Sequence, residues 1–214
     1  MSSSRDNPTI EPVMDTWRNY SSAATWIWEP RSRPEGDDAP ALNTWGADQF
    51  LQLLEALRPL ARVRKAFFGG PPESRPLPVP ERTWDERGSS NAGFERMLIN
   101  ALRTAATPIT VVELSFDLDV WVRTQEGRAP VRGWVRGAMR GELMLETQNP
   151  YGALMMNHTL FLGRSLHGVS NADLHRLNAP LLTKVLKAIE EHLGPITEVD
   201  GLEGVTRTGF KPMD

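Results

Sequence analysis

The sequence predicts an α+β domain, with an antiparallel β-sheet of about five to six strands and two to three helices packed mainly on one face. Three observations carry this expectation. Apolar Val112, Leu114, Phe116, Leu118, Val120 and Val122 alternate strictly with Glu113, Ser115, Asp117, Asp119 and Trp121. A strand buried on both faces would read as continuously apolar, so this alternation marks a half-buried antiparallel strand. Further short strand-like runs follow as far as Phe161, separated by turns containing Gly, Pro or Asn. Elsewhere, three segments space their apolar residues three and four apart, which is the stripe of an amphipathic helix.

Taken in chain order, residues 1–16 are rich in Ser, Asn, Asp and Pro and read as a mobile N-terminal tail, leaving 17–214 as a single domain. Ala24 to Trp28 reads as a first strand ended by Pro30, and the Pro-, Gly- and Asp-rich residues 30–44 read as a loop. Phe50, Leu53, Leu54 and Leu57 predict a helix over 47–57, closed by Pro59, and 61–68 reads as a strand ended by Gly69-Gly70. Five prolines lie between residues 71 and 80. That density resists helix and internal sheet, so 69–90 is expected to be a Pro-rich connecting arm on an extended path. No two of these prolines are three apart, the spacing an SH3 ligand needs. A second helix is expected from about Asn91, with Phe94, Met97, Leu98, Ala101 and Leu102 inward, ending before Pro108. Strands are expected near 109–123, 131–138, 142–148 and 154–162. Leu174, Leu177, Leu181, Leu182, Val185, Ile189 and Leu193 predict a helix over 171–193. Within it, Asn178 and Pro180 mark either a kink or a fresh start capped by Asn178. Gly194 ends that helix, and 196–199 adds a short edge strand.

Composition narrows the function. At 214 residues, 40% hydrophobic and 24% charged, the chain can bury a substantial core and reads as an ordinary globular protein. A net charge of −3 gives no electrostatic reason to expect nucleic acid or an anionic membrane as partner. No apolar run approaches the roughly 18 residues of a bilayer span. Met1 to Asn7 lacks the apolar core of a signal peptide, so cytoplasmic residence is expected. Cysteine is absent, which removes thiol catalysis, disulfides and cysteine-held metals.

Catalytic motifs are also missing. Neither G-x-S-x-G nor G-x-G-x-x-G occurs, and no Lys-Ser or Lys-Thr follows the Gly163/Gly168 pair to make a phosphate loop. His158, His167, His175 and His192 are not spaced as a zinc helix requires. No cofactor and no resident metal are expected. Asp117 and Asp119 project from one strand face with Glu113 further along the row, and carboxylates on a wet sheet face serve solubility. With Glu142 or Glu146 they would also make oxygen ligands for a hard divalent cation. A small enzyme or metal-binding protein using Asp117 and Asp119 is therefore one alternative.

The favoured alternative is protein binding. If 117–123 pairs with 131–137 as a hairpin, Val131, Gly133 and Val135 face inward and Arg132, Trp134 and Arg136 outward. Trp121 and Trp134 then share the polar face with Asp117, Asp119, Arg132 and Arg136. Trp and Arg are the side chains most enriched at interface hot spots, and surrounding charges of both signs favour oriented docking. The competing placement puts both tryptophans under the Pro-rich arm or a helix.

The stretch from Leu118-Asp119-Val120-Trp121-Val122 to the end resembles the bacterial immunity proteins that neutralise polymorphic toxins. The resemblance is carried by the Asp-x-Trp strand, by Asn171 and Leu177-Asn178 leading into Leu181-Leu182-x-x-Val185-Leu186-x-x-Ile189-Glu190, and by Ile196-x-Glu198-Val199-Asp200-Gly201 with Gly209-Phe210. It covers roughly the last hundred residues. It implies a small cytoplasmic α+β protein without catalysis that binds one toxin domain tightly. A structural or assembly subunit of a phage or secretion apparatus is a further alternative, with the tail and the Pro-rich arm as intersubunit ties.

Overall fold

β3 (Val111–Val122) is the strand that the alternation marks out, and its even-numbered side chains from Val112 to Val122 are all buried. The computed structural model describes residues 22–34, 38–70, 92–123, 129–146, 148–165 and 167–211. The expected tail over 1–16 and nearly all of the Pro-rich arm, from residue 71 onward, lie outside the described residues. Around β3 the chain builds β1 (Ala24–Trp28), α1 (Ala39–Leu57), β2 (Ala61–Gly69), α2 (Ala92–Arg103), β4 (Val131–Met144), β5 (Tyr151–Met156), α3 (Ala172–His192) and β6 (Ile196–Gly201). A short hairpin, β7 (Val205–Thr206) and β8 (Gly209–Phe210), follows. The main sheet has the order β2-β3-β4-β5-β1-β6, with every neighbouring pair antiparallel. Together with the three helices this is an α+β fold.

The helices share one core with the inward side of the sheet. Phe50 of α1 meets Phe68 of β2 edge to face at 6.4 Å, and Leu98 and Leu102 of α2 and Leu182, Val185 and Ile189 of α3 join the same buried cluster. Across the sheet, the Trp28 indole lies flat on Gly152, where a Cβ would stand 2.1 Å from the ring. Phe210 closes the far end, edge-on to Trp26 and stacked on Phe161. Among the described residues no helix is long and apolar enough to cross a membrane.

Several boundaries differ from the expectation, each for a local reason. α1 begins at Ala39, inside the stretch read as a loop. The Asp38 carboxylate accepts the Ala41 N–H at 3.1 Å, and Pro40 sits in the first turn, where a missing N–H costs nothing. The two strands expected over 131–138 and 142–148 are one strand, β4, bent by a bulge. The strand expected over 154–162 is β5, which ends at Met156. Met97 of α2, expected inward, is exposed. On α3 the buried stripe is turned slightly, so that Leu174, Leu182, Leu186 and Ile189 are buried while Leu177 and Leu181 are only half-buried.

Asn178 is the largest departure. The helix continues past Pro180 without a fresh start, and its N-cap is Asn171, not Asn178. Fully buried, its Oδ1 accepts the Trp121 N–H at 2.9 Å, and its Nδ2 donates to the carbonyls of Trp121 (2.8 Å) and Leu160 (3.3 Å). β2 has ended by this point: its last partner residue is Ala61, opposite Leu118, and the Asp119 N–H reaches back to the Leu60 carbonyl. Asn178 thus completes the ladder that β2 leaves unfinished and ties α3 to the strand carrying Trp121. Asn178→Leu keeps the volume and strands these backbone groups, at about 1–3 kcal/mol for each buried group left unpaired. Urea unfolding is expected to register a loss of at least about 2 kcal/mol; an unchanged midpoint would contradict the assignment.

Candidate protein-docking face

The helices occupy one side of the sheet, and among the described residues none covers the other. The register of β3 with its two neighbours decides what stands there. In β2, Arg62 pairs with Asp117 and Lys65 with Ser115, and the slip between Val63 and Lys65 leaves Arg64 as an extra residue. In β4, Met139 pairs with Phe116 but Val135 pairs with Leu118, so Arg136, Gly137 and Ala138 stand against Asp117 alone. Both neighbours of β3 therefore bulge close together, β2 between the partners of Phe116 and Ser115 and β4 at the gap opposite Asp117. Bulges re-aim side chains and sharpen twist. Gly137 adopts φ +58°, a left-handed conformation that glycine takes without strain.

Asp117 occupies this gap. Its Oδ1 accepts the Gly137 N–H at 3.0 Å, and its Oδ2 lies 3.7 Å from Arg62 Nε. The side chain is only 2% exposed, so it is not the solvated carboxylate that a wet sheet face suggests. Burial pushes its carboxyl above the ordinary value of 3.8, against the Gly137 N–H and the guanidinium groups of Arg62, Arg64 and Arg136, which favour the charged form. The Arg62 guanidinium also lies 3.9 Å from the centre of the Trp134 ring, a cation–π contact that spans β3 from β2 to β4. A Cβ on Gly137 would stand 3.0 Å from a guanidinium nitrogen of Arg64, so Arg64 reaches across β3 as well.

Toward the hairpin end, Asp119 faces Trp134 and Trp121 faces Arg132. Arg132 Nε donates to Asp119 Oδ1 at 3.1 Å. Trp121 and Trp134 are both partly buried, Trp121 packing against the hydrophobic core, and Arg136 is exposed. All six residues expected at the site share one face, and Asp117 differs from the expectation in serving beneath the surface. Asn178 and the pair Arg123–Asp173 brace the Trp121 end from α3.

Further along this face, a hollow of about 510 Å³ is lined by Lys65, Phe67, Glu113, Ser115, Arg140 and Met155. Glu113 and Glu142 stand directly opposite one another, an arrangement that like charges disfavour. The Tyr151 hydroxyl donates to Glu142 at 2.8 Å, and this bond pushes the Tyr151 pKa up to about 12. A larger groove of about 1080 Å³ runs along α3, past Arg176, Pro180, Lys184, Lys187 and Phe210. His175, His192 and Glu191 also line it. Among the described residues no three His, Asp or Glu side chains converge as a bound cation would require, and the carboxylates of Asp117 and Asp119 are turned to Arg62 and Arg132.

Sequence reasoning did not find Arg62 and Arg64. Their signal was present, since both are basic residues on a strand that alternates with Ala61 and Val63, yet nothing in a linear sequence pairs that strand with β3. No protein-family model, curated protein or solved structure matches the chain.

Asp117 makes a pH-dependent prediction. Its carboxyl holds a proton more tightly in the folded than in the unfolded chain. The stability it contributes is therefore full below the unfolded value of 3.8 and is lost as pH rises through the folded pKa. In urea unfolding across this range, Asp117→Asn is expected to gain stability relative to the unaltered chain as pH rises. A relative loss over the same range would contradict the environment described.

Proposed function

We propose that this chain is a non-catalytic protein-binding domain that docks its partner on the open face of the sheet around Trp121 and Trp134. The observation that carries the reading is the placement of two half-buried tryptophans on a helix-free face, with Arg62 stacked on Trp134 and Arg132 paired with Asp119. Wide, rigid rings held by neighbours lose little conformational freedom on binding and bury much apolar area, and the charged surround fixes orientation. The side chains are already braced from below by Asp117 and Asn178, so little ordering cost remains for the encounter.

The form of this function that the resemblance supports is a cytoplasmic immunity protein whose partner is a toxin domain. A toxin gene beside this one would support that form, and a cluster of tail or capsid genes would favour an assembly subunit.

The test places a photo-crosslinking residue at Trp134 in the native host and identifies what is captured, then measures that protein's affinity for the purified chain. Trp134→Ala is expected to weaken binding by about 2 kcal/mol or more, a larger effect than the stability lost with the Arg62 contact on the ring, about 0.5–2 kcal/mol. Recovery of no protein, or equal affinity for Trp134→Ala, would sink the proposal.

A further inference from the structure

The groove along α3 is charged on one side of the balance. Of the helix's acids, Asp173 pairs with Arg123 and Glu190 with Arg207, which leaves Glu191. Its cations Arg176, Lys184 and Lys187 are exposed, and among the described residues none has a hydrogen-bond or ion-pair partner. All three line the groove, with Ala179, Pro180 and Phe210 as apolar lining beside them. The far wall is braced, because the Thr183 hydroxyl donates to the Thr208 carbonyl at 2.8 Å and holds the β7–β8 turn against α3.

The cations form two stations. Arg176 stands next to His175, which also lines the groove and is 9% exposed. His175 Nδ1 lies 2.7 Å from the Phe161 carbonyl, which can only accept, so Nδ1 donates; Nε2 has no partner among the described residues. A mostly buried ring with one nitrogen unmatched is a polar contact that a ligand can complete, and in its charged form Nε2 donates to a carboxylate. Lys184 and Lys187, one turn apart, make the second station, about 12 Å further along the axis at 1.5 Å per residue.

We propose that this groove receives an acidic amphipathic helix of a partner protein, at a site separate from the sheet face. Apolar side chains of that helix lie on Ala179, Pro180 and Phe210. Two of its carboxylates, two turns apart on one side, meet Arg176 with His175 and the Lys184–Lys187 pair. A helix fits because the lining runs from Ala172 to His192, the whole of α3 and about 30 Å. The small side chains of Ala179 and Thr183 let two helix axes approach to about 8–10 Å.

The test follows fluorescence polarisation of a labelled helix-forming peptide of about 18 residues, built from Ala, Leu and Glu, added to the full chain. Two glutamates stand two turns apart beside its leucine stripe, and a comparison peptide carries Gln at both positions. Saturable binding of the Glu peptide that weakens with salt is expected, with the Gln peptide about tenfold weaker or more. Lys184→Gln with Lys187→Gln should weaken the Glu peptide to a similar extent, and Arg176→Gln should weaken it separately. These exposed side chains hold nothing else in the chain, so an unchanged melting temperature is expected alongside. Arg140→Gln, on the opposite face of the sheet, should change nothing. Equal binding of the two peptides, indifference to the α3 variants, or a loss with Arg140→Gln overturns the proposal. Displacement of the peptide by laurate at lower concentration than the peptide itself would overturn it too, and hand the groove to a small amphiphile. Capture through Trp134 plays no part here, so the reading of the sheet face stands or falls separately.

Discussion

The carboxylate of Asp117 is the constraint around which the open face of the sheet is arranged. It lies where β4 slips register against β3, next to the slip of β2, and it takes the Gly137 N–H that the β4 bulge would otherwise leave without a ladder partner. Such a buried N–H without an acceptor is costly, so the bulge and the carboxylate depend on one another. Through the bulge, β4 continues as one strand of 14 residues, and Trp134 and Arg132 fall opposite Asp119 and Trp121. Through its charge, Asp117 draws Arg62 across β3 and onto the Trp134 ring. The energetic trade is visible in its raised proton affinity: desolvation outweighs the surrounding cations, so the carboxylate is retained at a cost to stability.

Such a trade makes sense if the face has work to do. A sheet face needed only for solubility would carry well-hydrated carboxylates and lysines, with no reason to bury an acid beneath stacked arginines. Here Arg62 is held on the Trp134 ring and Asp117 lies beneath, an arrangement that would lower the entropy lost if the face docks the proposed partner. The opposite side of the sheet is committed to the core: α1, α2 and α3 all pack there, and Asn178 ties α3 back to the backbone of Trp121. The same contact that completes the fold also fixes the backbone of Trp121, one anchor of the proposed docking face.

How much of this was legible in the sequence follows from the range of each interaction. Period-two alternation located β3, and hairpin register placed Trp121, Arg132, Asp119 and Trp134 together, because both depend on near neighbours. Arg62 and Arg64 were invisible as site residues because they reach Asp117 only through a strand pairing across more than fifty positions of chain. The β4 bulge read as a strand end, since a break in alternation at Arg136-Gly137-Ala138 has the same signature as a turn. Asn178 and Pro180 read as either a kink or a fresh helix start capped by Asn178, because Pro is disfavoured inside a helix and Asn is a common cap. Its real partners belong to a strand and a loop that no local pattern points to.

Oxidative footprinting of the tryptophans, with and without the protein captured through Trp134, tests the central claim most directly. The account predicts that Trp121 and Trp134 become protected together in the complex while Trp45, on α1, reacts as before. Protection of Trp45 alone, with Trp121 and Trp134 unchanged, would place the partner on the helical side and contradict the account.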